Sequence, residues 1–163
     1  MGHEEHKHNA PETVKCVVIT VSDTRDVDKD TSGKLIKEKL SEMNHDIIGY
    51  EIVKDDKEEI LQALEKYDAQ VFIFNGGTGI SKRDVTPDCM KDVLDKELPG
   101  FGELFRSLSY EEIGPAAMLS RAVAGIYDEK IIFSIPGSTG AVKTAMEELI
   151  LPELGHVVYE VNK

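Results

Sequence analysis

At 163 residues the chain has the length of one domain with a substantial hydrophobic core, which argues against two. Its 31 Asp and Glu against 19 Lys and Arg give a formal charge of −12, spread over both halves of the sequence, so its surface repels a nucleic-acid backbone and neither half is a charged tail. No apolar run reaches the roughly 18 residues of a membrane span, the N-terminus is polar where a secretory signal is apolar, and Cys16 and Cys89 are too few for a disulfide framework; a cytoplasmic protein with two core thiols is expected.

Residues 1–13 lack apolar periodicity and mark a mobile arm ahead of a single domain over 14–163. His3, His6 and His8 on that arm would bind metal only incidentally, because no rigid element supports them. From Val14 the run VKCVVITVS is continuous and β-branched, the pattern of a strand buried on both faces of a parallel sheet. Ser22-Asp23-Thr24-Arg25 follows, then an acidic loop over 26–30 and a helix with Thr31 and Ser32 as N-cap candidates and Leu35, Ile36, Leu40 and Met43 on one side. A second strand, DIIGYEIV over 46–53, leads through Lys54-Asp55-Asp56 into a helix starting near Lys57, with Ile60, Leu61, Leu64 and Tyr67 at helical spacing.

The third strand, over 70–74, runs directly into Asn75-Gly76-Gly77-Thr78-Gly79 and Ile80-Ser81-Lys82-Arg83-Asp84. Thr86-Pro87 reads as an N-cap with proline at the first helical position, opening a helix to about Lys96. Pro99-Gly100-Phe101-Gly102 breaks the chain before a helix over 103–110, Gly114-Pro115 breaks it again, and a short helix covers 116–121. Residues 123–127 and 130–135 form an antiparallel hairpin, since a two-residue turn cannot make a parallel crossover. Pro136-Gly137-Ser138-Thr139-Gly140 then opens a helix to about Leu151, and a terminal helix repeats Leu154, Val157, Val158 and Val161. The alternation implies a three-layer α/β domain with a mostly parallel mixed sheet and one antiparallel strand.

Parallel sheets collect ligands at the carboxyl ends of their strands. Two of the loops there, 75–84 and 136–140, are rich in glycine and open helices, which lets main-chain N–H groups approach an anion. Gly-Gly-Thr-Gly alone also suits a purely steric turn, and neither the standard nucleoside-triphosphate loop nor the dinucleotide fingerprint is present; the recurrence of the pattern after a second strand favours a phosphate-bearing ligand. Asp84, directly after Lys82-Arg83, suits metal-assisted phosphoryl or nucleotidyl transfer, with a salt bridge or a helix cap as the alternative. Asp55 and Asp56 read first as caps of the following helix, Ser120-Arg121 as an ordinary helix end, and Arg106 as a packing or interface residue. His45 and His156 are isolated, which leaves no serine–histidine–acid arrangement.

TVSDTR, NGGTGISKRDVTPD, PGFGELFR, AAMLSRAVAGI and SIPGSTGAVKTAMEELILPEL occur in this order and spacing, and together they resemble the MoaB/Mog family of molybdenum cofactor biosynthesis proteins from about Val14 to Val158. The resemblance implies a three-layer molybdopterin-binding domain that uses Mg-ATP to adenylylate molybdopterin with release of pyrophosphate. It implies assembly as a homotrimer or homohexamer, with other proteins of the pathway as further partners. Carried onto this sequence, it gives Asp84 and Asp55 as the functional acids and holders of Mg²⁺, adjacent Asp56 leaving the second register open by one. The pterin-phosphate and nucleotide pocket would be lined by Ser22, Asp23, Asn75, Gly76, Gly77, Thr78, Gly79, Arg83, Ser120, Pro136, Gly137, Ser138 and Gly140. Lys54 stands where many relatives place proline, and Ser138 where some branches place asparagine. A non-catalytic molybdopterin carrier or regulator of the same pathway is the alternative reading, and the resemblance does not separate molybdenum from tungsten.

Overall fold

In a computed structural model of the chain, which describes residues 3–163, the β-branched runs form one six-stranded sheet of order β2-β1-β3-β6-β5-β4. The strands are β1 (Lys15–Val21), β2 (Asp46–Val53), β3 (Val71–Asn75), β4 (Lys96–Glu97), β5 (Val123–Tyr127) and β6 (Lys130–Ile135). β1 pairs in parallel with β2 and β3, and β3 with β6. Only β5 runs against this direction; β4, antiparallel to β5, points with the rest. The expected mixed sheet with one antiparallel strand is borne out.

Six of the seven residues of β1 are buried, because helices cover both faces of the sheet. Cys16 and Val18 pack with Ile36 and Leu40 of α2 (Thr31–Glu42), Phe105 of α5 (Pro99–Ile113) and the C-terminal helices. Val17 and Ile19 point the other way, toward Ile60 and Leu64 of α3 (Lys57–Lys66) and Met90 of α4 (Thr86–Val93). Cys16 and Cys89 therefore lie in different cores, both unpaired, and burial pushes the Cys16 thiol up to about 12, which removes it from thiolate chemistry. No helix among the described residues is long and apolar enough to cross a membrane.

Several boundaries differ from the sequence expectation. α2 is capped by Asp30 rather than by Thr31 or Ser32, and Met43 is half exposed beyond its end. The loop before it carries a 3-10 turn, Val27–Lys29. Thr86 is the first residue of α4 and not its cap, and the helix stops at Val93, so that residues near Lys96 form the short strand β4. Pro99 to Gly102 is the first turn of α5 and not a break: proline at a helix start loses no hydrogen bond, and Phe101 reaches the core. The expected short helix over 116–121 is a 3-10 segment, Gly114–Leu119. At the C-terminus α6 (Thr139–Thr144) continues through a π-helical turn, Ala145–Ile150, into α7 (Leu151–Asn162); Pro152 follows that turn and has no N–H to give to the Glu148 carbonyl.

The segment before the domain contains α1 (His3–His8), whose Lys7 Nζ lies 2.5 Å from Glu153 of α7. Gly155 admits the Pro11 carbonyl so closely that a Cβ there would lie 2.6 Å from it. Met1 and Gly2 of the expected arm, and the side chains of His3 and His6, lie outside the described residues, and the metal reading of those histidines lies there with them.

One polar cluster interrupts the apolar interior. The Asp30 carboxylate, fully enclosed, accepts from Thr20 Oγ1 (2.6 Å), from Gly33 N (3.0 Å) and from the Tyr50 hydroxyl. Asn75 Nδ2 in turn donates to Thr20 Oγ1 (2.9 Å). Burial, reinforced by the bond to Asp30, pushes the Tyr50 hydroxyl up. A buried carboxylate is tolerable only when satisfied in this way. Asp30→Ala removes a helix cap and strands three donors, and is expected to cost about 2–4 kcal/mol, measured by urea unfolding.

Candidate functional site

β1 is followed by β2 on one side, whereas β3 enters on the other, so the carboxyl ends of β1 and β3 flank a topological switch point. The loops after β1, β3 and β6 meet there. Gly76 N donates to Ile135 O at 2.8 Å, and a Cβ on Gly137 would lie 3.3 Å from Gly76 Cα, so the two glycine loops touch. Gly76 (φ +103°) could not carry a side chain without striking the Val21 carbonyl. At Gly77 (φ +69°) a Cβ would lie 2.6 Å from Asp55 Oδ2, and at Gly79 2.8 Å from Asp84 Oδ2. The absence of side chains thus brings backbone and both acids together. Gly140 faces open space, and no close approach requires it.

The two candidate acids on the second loop separate cleanly. Asp56 accepts from Glu59 N (3.2 Å) and caps α3. Asp55 instead turns toward the glycine loop, where Oδ1 accepts from Thr86 Oγ1 (2.9 Å) and Val85 N (3.3 Å). Asp84 neither caps α4 nor pairs with Arg83: its Oδ2 accepts from Ser81 Oγ (2.6 Å) and Ser81 N (3.0 Å), and Arg83 reaches Asp23 at 2.7 Å. Burial raises the Asp55 carboxyl above its ordinary value, the bonds from Thr86 and Val85 oppose this, and the neighbouring charges of Asp84 and Asp23 add to it. Among the described residues no group of three or more His, Cys, Asp or Glu is arranged to hold a metal ion unaided. Two carboxylates, each with one oxygen committed to the protein, do fit Mg²⁺, which takes one or two carboxylates and fills its shell with water and substrate phosphate.

The remaining expected residues surround this centre. Ser22 Oγ accepts from Arg25 N (3.0 Å), and Asp23 Oδ1 from Asp55 N (3.3 Å). Ser138 caps α6 by accepting from Ala141 N (3.2 Å), as an asparagine there could. Thr78 and Asn75 are buried, Pro136 is half-buried, and Ser120 Oγ accepts from Ala122 N (3.3 Å). Beside the crevice, a cleft of about 540 Å³ lined by Ser22, Arg25, Val27, Tyr50 and Lys54 among others gives room for the organic part of a ligand.

Sequence reasoning missed four contributors. Ser32 Oγ and Arg25 Nη1 (3.4 Å) both donate to the Gly137 carbonyl, and Thr86 holds Asp55. Arg121, expected at a helix end, bonds the loop after β3 through Gly79 and Asp84, 42 and 37 residues away. No local pattern marks such a residue.

A family model described as a probable molybdopterin binding domain matches residues 17–156. The chain is 54% identical over 168 aligned residues to molybdenum cofactor biosynthesis protein B of Bacillus cereus, spanning all of this chain and 99% of that protein. It superposes on the crystal structure of a molybdenum cofactor biosynthesis protein B with a TM-score of 0.90 at 53% identity, over 94% of this chain and 99% of that one. The tungsten cofactor synthesizing protein MoaB from Pyrococcus furiosus gives a TM-score of 0.85 at 46% identity, over 94% and 100%.

Because the fold raises the Asp55 carboxyl, the charged form weakens the folded state above the carboxylate range, and the penalty disappears once the group is protonated. In protein stripped of divalent cations, Asp55→Asn is expected to be more stable than the parent at pH 7. The difference should shrink as the pH falls through the raised Asp55 value, which urea unfolding across that range would measure.

Proposed function

The chain belongs to the family of molybdenum cofactor biosynthesis proteins with a molybdopterin-binding domain, and from that premise we propose that it binds molybdopterin and adenylylates its phosphate with Mg-ATP, releasing pyrophosphate. The observation that carries this reading is the contact of two glycine loops at the switch point, with Asp55 and Asp84 beside the same backbone. Anion-binding N–H groups and cation-binding carboxylates within one crevice suit the joining of two phosphates better than the binding of one.

In the proposed reaction an oxygen of the molybdopterin phosphate attacks the α-phosphorus of ATP. The new phosphoanhydride bond forms there as the bond to the bridging oxygen breaks, and pyrophosphate leaves with that oxygen. A phosphate is already ionised at neutral pH, so no side chain has to remove a proton. The work falls to positioning and to electrostatic stabilisation. The loops around Gly76–Gly79 and Gly137 would hold phosphate oxygens through the main chain, and Lys82 lies exposed at the mouth. Asp55 and Asp84 would hold Mg²⁺ through the oxygens that Thr86 and Ser81 leave free. When bound, that ion neutralises charge on the triphosphate and the departing pyrophosphate.

Asp84→Asn, and separately removal of Mg²⁺ with EDTA, are each expected to lower adenylyl transfer by about 10²–10³-fold, with molybdopterin affinity changed only a few-fold by the substitution. Formation of adenylylated pterin and of pyrophosphate is the readout. Molybdopterin binding without transfer in the parent protein would instead make the chain a carrier of the same pathway.

The family resemblance also implies a homo-oligomer, and one face suits it. Tyr110, Ile113, Met118 and Leu119, at the end of α5 and on the 3-10 segment after it, make up four of the nine exposed large hydrophobic residues among those described. A second copy of the chain is the occupant proposed for this face. Met118 is 77% exposed, and Met118→Asp should shift the light-scattering mass from a trimer or hexamer toward the monomer without loss of helical signal.

A further inference from the structure

Arg121 lies immediately ahead of β5, beneath the loop that carries Asp84. Its backbone N–H donates to Thr78 O (2.9 Å). Its Nε donates to Gly79 O (2.9 Å), its Nη2 to Asp84 O (2.7 Å), and its Nη1 to both carboxylate oxygens of Asp88 on α4 (3.1 and 3.2 Å). One residue thus takes three carbonyls of the ten-residue loop between β3 and α4, two adjacent ones near its start and one near its end, and is itself anchored to a helix.

The direction of those carbonyls decides what the loop can bind. A trans peptide is planar, so a carbonyl oxygen and the N–H of the next residue point in opposite directions. Holding Thr78 O therefore turns the Gly79 N–H away from Arg121, and holding Gly79 O does the same for Ile80. Holding Asp84 O turns the Val85 N–H, which donates to Asp55 Oδ1 at 3.3 Å. Among the described residues, neither the Gly79 nor the Ile80 N–H meets an acceptor. An anion cradle needs this polarity, with donors outward and carbonyl oxygens withdrawn. The Asp88 carboxylate balances the guanidinium charge, so the contribution of Arg121 is to geometry more than to the field.

We propose that Arg121 is a positioning residue of the phosphate site: by holding the carbonyls of Thr78, Gly79 and Asp84 it presents the Gly79 and Ile80 N–H groups to a phosphate and the Val85 N–H to Asp55. Its consequence for turnover rests on the adenylyl-transfer reading above, whereas its consequence for anion binding does not. A lysine cannot replace it, because a single ammonium cannot span carbonyls at both ends of the loop.

The test uses the full chain with Arg121→Ala, Arg121→Lys and Asp88→Asn, and three measurements. Both Arg121 variants should bind inorganic pyrophosphate at least about tenfold more weakly and transfer adenylyl about 10²-fold more slowly. Amide exchange over 78–85 should accelerate in them while β3 stays protected. Guanidinium added at millimolar concentration should restore part of the transfer and of the pyrophosphate affinity to Arg121→Ala and none to Arg121→Lys. Parental pyrophosphate affinity and loop protection in Arg121→Ala would overturn the proposal, as would loss of transfer with neither of these changed. Should Arg121→Ala fail to fold, Asp88→Asn decides: it keeps the carbonyl bonds but frees their anchor, and unchanged affinity and exchange in it would count as the overturning result. If the parent protein transfers no adenylyl group, the proposed reaction fails, and pyrophosphate affinity and loop exchange still decide the role of Arg121.

Discussion

The Asp30 carboxylate is the constraint on which the crevice depends. It is a formal charge with no exposed surface, held by Thr20 of β1, Tyr50 of β2 and the first turn of α2, and through Thr20 it is joined to Asn75 at the end of β3. Thr20 and Asn75 sit at the carboxyl ends of β1 and β3, the strands that flank the switch point, and Tyr50 lies within β2. Capping α2 places Ser32, whose hydroxyl holds the Gly137 carbonyl, and Gly137 in turn lies against Gly76. A chain of short polar contacts therefore runs from the interior to the backbone that would face a ligand. Each member contributes a hydrogen bond that the others share, and this mutual satisfaction gives the arrangement its rigidity.

The charge of −12 acquires a local meaning at this crevice. In the proposed reaction two anions would have to enter a protein that repels them, and most nearby cations are already engaged: Arg83 with Asp23, Arg121 with Asp88, and Arg25 with the Gly137 carbonyl. What is left to attract phosphate is main-chain N–H, the exposed Lys82, and a divalent cation recruited by the acids. Burial first, and the charges of Asp84 and Asp23 after it, raise the proton affinity of Asp55, and a bound cation would relieve that cost. Under the proposed reaction, the net acidity would make the metal a partner in anion binding as well as in chemistry.

Strand patterns and the hairpin were legible locally, whereas the proline and glycine signals at Thr86-Pro87 and Pro99–Gly102 were not. β2 spans 46–53 as its pattern indicates, and the hairpin turns on Asp128 and Glu129, both at positive φ, because a two-residue connection permits little else. The three-layer order follows from alternation of strand and helix. Boundaries set by distant partners were not legible: Asp30 caps α2 because Thr20 and Tyr50 are also there to share it, and nothing in the run Asp26–Asp30 singles it out. The choice between Asp55 and Asp56 is of the same kind. Both neighbour the helix start, and it is Thr86, 31 residues away, that draws Asp55 toward the glycines. Arg121 lies wholly on the illegible side, since its role resides in carbonyl directions, which no sequence pattern encodes.

The contact between Gly76 and the end of β6 also fixes when the site comes into being. The loop after β3 is complete by residue 84, yet its first N–H is taken by Ile135 and its flank is Gly137. During synthesis from the N-terminus, β1, β2 and β3 are available to pair long before the strand that closes the crevice leaves the ribosome. A nascent chain shorter than about 140 residues can own every acid of the site and still have no cradle. If the loops bind phosphate as proposed, the order of the strands alone would withhold that binding from incomplete chains, and a truncated product would not sequester substrate from finished molecules.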